Sequence, residues 1–386
     1  MVPKKIYPLN AVRFFAALLV LFHHSERFFL PNAASGISPS ANQDAIDFSL
    51  GFRVSVSFFF VLSGYSLSLA YLRKEKPIDT RKFFAARFAR IYPLYLLVLV
   101  LCTPVLLADK LQIHGMALGL VKTAAIFTPN AALLQAWYPA KLLLINRPSW
   151  SLCAEAFFYC CFPSLGTLLW KLRGRGLWIS ALALYVGGQA LVWWMRPLIG
   201  SYTLTFFPLF HLSTFALGIL VARWQSLRQE RIDRTEVQAW QATLVLGLSV
   251  AGLLLSVPLG PLFHVDQPYD NGLLAPIFAG FIWSLSAAST PASRWLCGKW
   301  LVALGNGSFA LYLIHLPIRN LFLHFGWVAP ACYPIYVIVC VALSLVSFYY
   351  FETPVRQWLI KQFDERRRRN IFPELTTARV GSISDQ

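Results

Sequence analysis

The sequence predicts an all-α protein that crosses a lipid bilayer many times. Hydrophobic residues make up 57% of the 386 residues and charged residues only 13%, whereas soluble domains carry about 25% charged residues. The apolar residues also form blocks close to the roughly 20 residues that a transmembrane helix needs. A buried core would explain one or two such blocks, but not a succession of them along the whole chain.

Ten apolar blocks can be separated, and each is predicted to form one membrane-spanning helix. They cover residues 9–30, 48–72, 91–108, 150–170, 177–195, 202–222, 240–258, 271–290, 301–325 and 332–351. The mixed segment 109–149 contains prolines and aromatic residues, among them Trp137 and Tyr138, and we expect it to include a re-entrant or interfacial helix. In the second block, the small pair Ser63-Gly64 is expected to allow close helix packing.

The distribution of basic residues predicts that both termini lie in the cytoplasm. The net charge is +17 and the pI is near 9.8, which in a soluble protein would suggest binding to nucleic acid. Most of the 34 Lys and Arg instead fall in alternate loops and at the two ends, as expected when positive charge is retained in cytoplasmic loops. These basic segments are 4–5, 73–90, 171–175, 223–234, 294–299 and 356–379. We therefore expect membrane lipids, and not nucleic acid, as partners.

The two ends of the chain suggest one membrane domain and a short tail. The start resembles a signal peptide, but Arg13, His23 and His24 interrupt its apolar block, which favours a retained first span. Residues 1–358 are predicted to form the transmembrane domain, and residues 359–386 a basic, cytoplasmic, partly disordered tail. The seven cysteines form no CxxC pair and no Cys/His metal spacing, so no metal is predicted.

Ionisable groups inside the predicted spans are costly to bury and are therefore candidate functional residues. Arg13 and His24 are eleven residues apart, which places them on one helix face, about 16 Å apart along the axis. A lone histidine near the outer interface is more often a hydrogen-bonded structural residue, but its alignment with Arg13 favours a functional role. By helical rise, His24 and His315 each lie about 21 to 22 Å above the inner start of their spans.

A second group opens the fourth predicted span. Ser151 and Glu155 are four residues apart and are neighbours on one helix face. Ser151 could simply cap the helix, and Trp150 could be an aromatic residue of the membrane interface. Glu155 is harder to explain structurally, because apolar sequence follows it at once. It is predicted to lie in the outer half of the membrane with His24.

A basic layer is predicted at the inner ends of the spans. Arg87 and Arg90 precede the third span at positions i and i+3, so they share a face and can bind phosphates bidentately. Anchoring by the positive-inside effect explains them equally well. Glu352, at the inner end of the tenth span, could pair with a nearby Arg. Together with Arg13, this layer suits a long anionic donor that enters from the cytoplasm and reacts toward the outer face.

These residues, taken in order, resemble the motifs of the acyltransferase 3 family of membrane acyltransferases. The matches are Arg13 and His24 with ten residues between them, Phe59 to Gly64, Arg87 with Arg90, Trp150-Ser151-Leu152 with Glu155, Ser308 to His315, and Glu352 with Pro354. Each motif is weak alone, but together they follow the family's order over nearly the whole chain. One departure is Ser57, where many members have Asp. The chain resembles the stand-alone members, which lack the extracytoplasmic SGNH-type domain of others and often modify bacterial polysaccharides.

The resemblance implies transfer of an acyl group, usually acetyl, from acyl-CoA to a hydroxyl of a surface or exported polysaccharide or lipid-linked glycan, in the bacterial cytoplasmic (inner) membrane. It implies His24 as the catalytic residue, acting as general base or as acyl carrier, with Glu155 orienting an imidazole or binding acceptor hydroxyls. Arg87 and Arg90 would hold the CoA phosphates or pantetheine, and Arg13 would line the donor channel. Further candidates are Trp150, Ser151, His315 and Glu352.

Two other functions also fit a polytopic membrane protein. A glycolipid transporter or flippase would have many spans, intramembrane charges and Pro-broken helices. The chain shows no evident internal repeat, however, and the inner arginines together with the Arg13–His24 line favour an enzyme. A membrane-bound O-acyltransferase of the separate Asn/His type would not show these ordered motifs. Binding of labelled acetyl-CoA would distinguish the enzyme from the transporter.

Overall fold

Helices account for the regular structure of the described chain, and no strand occurs within it. The computed structural model describes residues 7–25, 54–72, 77–231, 237–262, 271–287 and 290–371. The helices are α1 (Tyr7–His24), α2 (Ser55–Tyr71), α3 (Thr80–His114), α4 (Met116–Ala131), α5 (Pro139–Leu142), α6 (Trp150–Trp170), α7 (Gly174–Phe206), α8 (Leu212–Arg231), α9 (Val237–Leu262), α10 (Ala275–Ala287), α11 (Pro291–Leu296), α12 (Lys299–His324), α13 (Cys332–Ser347) and α14 (Thr353–Ile371). Short 3-10 turns occupy Gln135–Trp137, Arg147–Ser149 and Pro208–His211, and a π turn occupies Phe348–Glu352.

Each of the ten predicted spans overlaps one of these helices, which confirms the all-α membrane class. Within the described residues, six helical stretches are long and apolar enough to cross a bilayer by length and composition. They are Thr80–His114, Arg147–Trp170, Gly174–Phe206, Ala239–Ser256, Lys299–His324 and Cys332–Arg367, and the shorter helices Ser55–Tyr71 and Ala275–Ser286 are also apolar. The count of ten and the cytoplasmic termini stay predictions. Residues 26–30 of the first predicted span, 48–53 of the second, 288–289 of the eighth, Lys4 and Lys5 lie outside the described residues.

The third span begins well before its predicted start at residue 91. Asp79 caps α3, because its carboxylate accepts a hydrogen bond from the Lys82 backbone N–H at 3.1 Å, and the side chain thereby satisfies a backbone donor that the helix leaves free. Arg87 and Arg90 therefore lie inside the helix and not in a loop before it. Pro93 and Pro104 are both accommodated within α3.

The boundary between the fifth and sixth predicted spans is wrong. The sequence predicts helices over 177–195 and 202–222, but α7 continues to Phe206 and α8 begins only at Leu212. Gly200 interrupts α7 with a φ of 76°, a left-handed conformation that glycine adopts without a steric penalty. The end of α7 therefore takes a new direction after Gly200. Ser201 to Phe206 lie along one side of the helix bundle.

The segment 109–149 contains the helix α4, and its re-entrant or interfacial character stays a prediction. Gly115, with a φ of 75°, ends α3 and allows α4 to fold back along it. The hydroxyls of Tyr92 and Tyr95 donate hydrogen bonds to the carbonyls of Ala131 and Asn130, at 3.1 and 2.5 Å. These bonds fix the end of α4 against α3.

Small residues let two helix pairs pack closely. A Cβ atom at Gly64 would overlap the Phe215 carbonyl, and one at Gly218 would overlap the Val61 carbonyl, so α2 and α8 are in near backbone contact. At Gly305 the same addition would overlap the Asn10 carbonyl, which brings α12 against α1. Small residues at helix crossings have this effect in membrane proteins generally. The packing role predicted for Gly64 is confirmed.

The helix α14 extends the structure into the predicted tail. It continues to Ile371 and is bound to the start of α3, because Arg367 Nη1 donates to Asp79 Oδ2 at 2.6 Å. Residues 359–371 are therefore helical. The rest of the predicted tail, residues 372–386, lies outside the described residues.

Candidate active site

Two cavities lie end to end among α1, α2, α3, α6, α7 and α12. The cavity lined by His24 has a volume of about 410 Å³ and is called the outer cavity after the predicted orientation, and the cavity lined by Arg13 has a volume of about 80 Å³ and is called the inner cavity. Both are lined by Val56 and Tyr312, which therefore form the boundary between them. Arg13 lines the inner cavity and His24 the outer one, as their spacing along one face of α1 predicts.

The His24 imidazole lines the outer cavity and contacts a second histidine that is buried behind it. Its ring centroid lies 5.3 Å from that of His315 on α12 and 4.9 Å from that of His23. Arg319 Nη1 donates to the His24 backbone carbonyl at 2.7 Å, which ties the end of α1 to α12. The sequence predicts that His24 and His315 lie at similar depth, and the structure brings them together.

His315 is fully buried and its ring orientation is defined. Its Nδ1 donates to the Leu311 carbonyl at 3.2 Å, so the other ring nitrogen, Nε2, carries the lone pair in the neutral form. Within the described chain Nε2 has no hydrogen-bond partner. The Tyr336 hydroxyl donates to the His315 carbonyl at 3.1 Å. Pro317 cannot supply the backbone N–H that would bond to the Leu313 carbonyl, and Asn146 Nδ2 donates to that carbonyl instead, at 3.1 Å.

Aromatic rings and hydroxyls form the remaining wall of the outer cavity. Trp150 is buried and packs edge to face against Phe60 and Phe206, with ring centroids 5.9 and 5.4 Å away. His211 lies 5.1 Å from the same indole. The other lining residues with polar side chains are Arg147, Ser201, Tyr202 and Thr205. Trp150 therefore forms part of the wall of the outer cavity.

The inner cavity holds opposite charges. Arg13, Arg90 and Glu155 all line it, and Arg13 interacts electrostatically with both of the others. Polar Ser151, Ser308 and Tyr312 complete a lining that is otherwise apolar. A carboxylate beside two guanidinium groups lowers the cost of holding these charges within the membrane.

Glu155 lines the cavity of Arg13, although the sequence groups it with His24. It is expected in the outer half with His24, but in the structure its carboxylate faces the inner cavity with Arg13. Its Oε1 accepts hydrogen bonds from Ser63 Oγ at 3.0 Å and from the Tyr159 hydroxyl at 2.7 Å. It contributes to the inner cavity because it lies one helical turn below Ser151, about 6 Å along the axis of α6. Glu155 is not hydrogen-bonded to an imidazole within the described chain.

Ser151 lines the inner cavity and is hydrogen-bonded to Tyr312, one of the two residues at the boundary. Its Oγ donates to the Tyr312 hydroxyl at 2.8 Å, and that hydroxyl donates to the Pro148 carbonyl at 2.9 Å. Ser151 Oγ is also 3.2 Å from the same carbonyl. The hydroxyl pair links the start of α6 to α12, three residues before His315.

Arg87 is held by aromatic rings one turn before Arg90. Its guanidinium carbon lies 5.6 Å from the centroid of the Tyr71 ring and 6.0 Å from that of Tyr159, within the range of cation–π attraction. Its Nη2 donates to the Tyr71 hydroxyl at 3.3 Å. Tyr159 also donates a hydrogen bond to Glu155. It therefore contacts both the arginine motif on α3 and the Glu155 motif on α6.

Glu352 is the last residue of the π turn and lies near Arg90 of α3. Its carboxylate interacts electrostatically with Arg90 and Arg356, but Oε1 is buried without a hydrogen-bond partner in the described structure. The sequence suggests that Glu352 pairs with a nearby Arg. Among the described residues the attraction acts at longer range, and no Arg forms a direct ion pair with the carboxylate. Glu352 belongs to the basic layer, as predicted, and lies apart from the lining of both cavities.

Several residues of the site are missed by the sequence reasoning. Tyr159 could have been found as the i+4 neighbour of Glu155, and Tyr312 as the i−3 neighbour of His315. From the sequence Ser63 is expected only to allow close packing, but its hydroxyl donates a hydrogen bond to Glu155. Arg147 carries no local signal, because only the tertiary fold brings its loop over His24.

Comparison with known proteins identifies the class and then the family. Residues 6–349 match the family model of the acyltransferase 3 proteins, described as an acyltransferase domain. The match covers most of the chain, so the protein belongs to the acyltransferase 3 family and is a membrane acyltransferase.

Three relatives illustrate the range of the similarity. Acyltransferase MdmB of Streptomyces mycarofaciens is 30% identical over 331 residues, covering 80% of this chain and 78% of MdmB. O-acetyltransferase OatA of Staphylococcus aureus is 25% identical over 387 residues, covering 94% of this chain but only 59% of OatA. Protein 2 in the picA locus of Rhizobium radiobacter is 38% identical over 101 residues, covering 26% of this chain and 44% of that protein. No solved structure shows a significant match.

Proposed function

We propose that the protein transfers an acyl group, usually acetyl, from cytoplasmic acyl-CoA to a hydroxyl of a surface or exported polysaccharide or glycolipid. The observation that carries this proposal is the junction of the two cavities at Val56 and Tyr312. The guanidinium groups of Arg13 and Arg90 line the inner cavity and suit an anionic donor. His24 lines the outer cavity and contacts His315, and these imidazoles can accept and release a proton. One relative is named an O-acetyltransferase, in agreement with transfer to oxygen.

The proposal includes ten spans with both termini in the cytoplasm, in the inner membrane of a bacterium. The basic layer of Arg87 and Arg90 then faces the cytoplasm, where acyl-CoA is made. The inner cavity, at about 80 Å³, is too small for a whole CoA molecule. We therefore propose that the nucleotide stays near Arg87 and Arg90, and that the narrow pantetheine arm passes Arg13 and carries the thioester toward Tyr312.

His24 is proposed to act as the general base. Its imidazole removes the proton of the acceptor hydroxyl as the oxygen attacks the thioester carbonyl. The carbon–sulfur bond breaks, and the departing thiolate of CoA receives a proton, so the imidazole regains its starting state. A second route, in which His24 carries the acyl group before the acceptor takes it, uses the same geometry. His315 would orient His24, because its free Nε2 can accept an N–H bond after a small rotation of either ring.

The outer cavity is proposed to hold the acceptor. Its volume of about 410 Å³ lies in the usual range for small-molecule sites, which combine apolar walls with a few placed polar groups. Trp150 and Tyr202 supply rings against which the C–H face of a sugar can pack, and Ser201 and Thr205 supply hydroxyls. The exposed ring of Tyr138, to which Lys141 lies close in a cation–π contact at 5.4 Å, would extend this surface for a longer glycan.

The test is transfer of labelled acetyl from acetyl-CoA by the purified protein in nanodiscs, together with O-acyl analysis of the cell's glycans with and without the gene. We expect saturable binding of acetyl-CoA and loss of one O-acyl group in cells that lack the protein. A chain that moves glycolipid across vesicles without binding acetyl-CoA would instead be a flippase, and the proposed function would be wrong.

A further inference from the structure

Arg147 places a positive charge in the wall of the outer cavity. Among the described residues that line this cavity, Arg147 is the one whose side chain stays charged throughout the physiological pH range, and none of them is a carboxylate. The residue is exposed, and within the described chain its guanidinium forms no ion pair and no hydrogen bond. The described fold gives this charge no structural role, so it can bind a ligand that enters the cavity.

The loop that carries Arg147 is fixed to α12 on both sides of this residue. Before it, Asn146 Nδ2 donates to the Leu313 carbonyl at 3.1 Å, and after it, the Pro148 carbonyl accepts from the Tyr312 hydroxyl at 2.9 Å. Asn146 and Pro148 are both buried. The backbone of Arg147 is therefore held in place beside the cavity, and a ligand that binds its guanidinium does not have to order the loop first.

Positive charge also lies near the His24 imidazole. Arg319 Nη1 donates to the His24 carbonyl at 2.7 Å, and both Arg319 and Arg147 interact electrostatically with His24. Glu155 lines the other cavity. A general base becomes an imidazolium when it takes a proton, and two nearby guanidinium groups oppose that charge. An anion bound at Arg147 would offset this repulsion while the proton is transferred.

We infer that Arg147 binds an anionic group of the acceptor, either a carboxylate or a phosphate, and thereby selects acceptors that carry negative charge. The inference rests on the proposed function and names the acceptor class for it. A guanidinium binds either anion through two parallel N–H bonds, whereas the hydroxyls of Ser201 and Thr205 bind a sugar whether or not it is charged. Because Arg147 and His24 line one cavity, an acceptor held by its anion presents a neighbouring hydroxyl to the imidazole.

The acceptor class is tested with glycans and glycolipids extracted from cells that lack the gene. Purified full-length protein in nanodiscs transfers labelled acetyl from acetyl-CoA to this extract, before and after two treatments of the extract. Carbodiimide with borohydride reduces carboxylates to alcohols, and cold hydrofluoric acid cleaves phosphate esters. We expect transfer to fall about tenfold or more after one of the treatments, and that treatment identifies the anion. Undiminished transfer to an extract given both treatments would overturn the inference.

The role of Arg147 is tested by repeating these measurements with variants. Arg147→Gln should raise the KM for the untreated extract about tenfold and leave the KM for acetyl-CoA unchanged. Arg147→Lys keeps the charge without the two-bond geometry and should give an intermediate KM. The treatment that weakens transfer by the wild type should have little further effect on Arg147→Gln, since the anion has already lost its partner. The matched control is Lys122→Gln, because Lys122 is exposed on α4 and lines neither cavity.

Three results with these variants would overturn the inference. A wild-type KM for the extract in Arg147→Gln would leave Arg147 as a residue that binds lipid headgroups. An equal effect of the treatment on Arg147→Gln and the wild type would show that the anion binds elsewhere. An equal rise of KM in Lys122→Gln would show that only the overall positive charge of the protein matters. Failure of the wild type to acetylate the untreated extract would instead overturn the proposed function.

Discussion

The imidazole rings of His24 and His315 lie 5.3 Å apart, although they come from the first and the last third of the chain. Their contact depends on the close packing of α1 against α12, where Gly305 leaves room for the Asn10 backbone. His315 Nδ1 is engaged by the Leu311 carbonyl, so only its Nε2 can interact with His24. A buried histidine of defined orientation therefore stands behind the histidine that faces the outer cavity.

Replacement of His24 should abolish the proposed acyl transfer and leave the binding of the acyl-CoA donor intact. We expect His24→Ala to lower acetyl transfer by about 100-fold or more, the usual contribution of a general acid–base group, while acetyl-CoA binding stays within about twofold. His23→Ala should have a smaller effect, since its ring lines the same cavity without contacting His315 so directly. His324→Ala, at the exposed end of α12, is the control. Full activity in His24→Ala, with protein level matched, would exclude the assignment.

Replacement of His315 should act through His24. We expect His315→Ala to lower kcat by about tenfold with little change in the KM for acetyl-CoA, because His24 loses the group that orients it. His315→Gln retains a side-chain acceptor and should recover part of the loss. A structural role alone predicts that both variants lose stability and activity together, so melting temperatures measured beside the kinetics separate the two cases.

The carboxylate of Glu155, in the inner cavity, should be required for acyl transfer. We expect Glu155→Ala to reduce transfer more strongly than Ser63→Ala or Tyr159→Phe, because each of the last two removes only one of the two hydrogen bonds to the carboxylate. Glu155→Gln keeps an acceptor for both hydroxyls but leaves Arg13 without its negative neighbour. Equal activity of Glu155→Gln and the wild type would show that the charge of Glu155 is not required.

Gly218 should be intolerant of a side chain. Gly218→Ala places a Cβ against the Val61 carbonyl, and we expect it to destabilise the protein by about 1 to 3 kcal/mol, the usual cost of overpacking. Gly247→Ala is the matched control, since a Cβ there meets no atom within 4 Å. It should be neutral or stabilising by about 0.5 to 1 kcal/mol. Thermal unfolding in one detergent measures both, and equal melting temperatures would contradict the close contact of α2 and α8.

Asp79 should contribute to stability only at a pH where it is ionised. The hydrogen bond from the Lys82 backbone N–H, and then that from Arg367, hold the pKa of Asp79 below its ordinary value. A carboxylate whose pKa is lower in the folded protein stabilises it above the unfolded pKa of about 3.9, and this contribution is lost as the pH falls through the folded value. Asp79→Ala should therefore melt below the wild type at pH 7. The difference should shrink toward pH 3, and a constant difference would contradict the linkage.

The sequence by itself determined the class of protein and much of the chemistry. Apolar blocks of membrane-spanning length predict helices because every backbone polar group must be satisfied inside the segment when no water is present. Charges such as Arg13 stand out against that background because their burial is costly. The helical period then places Arg13 and His24 on one face, and the two cavities agree with that placement.

Only the tertiary structure decided how these residues combine. Glu155 meets Arg13 and not His24, because the depth of a side chain depends on how α6 and α1 cross and not on the order of motifs. Arg356 joins Arg90 because α14 packs along α3, a contact that no local pattern encodes. Gly200 redirects the end of α7, so that residues 201–206 become a wall of the outer cavity. Sequence periodicity fixes which face of a helix a residue occupies, but the partner of that face follows from the packing of the whole bundle.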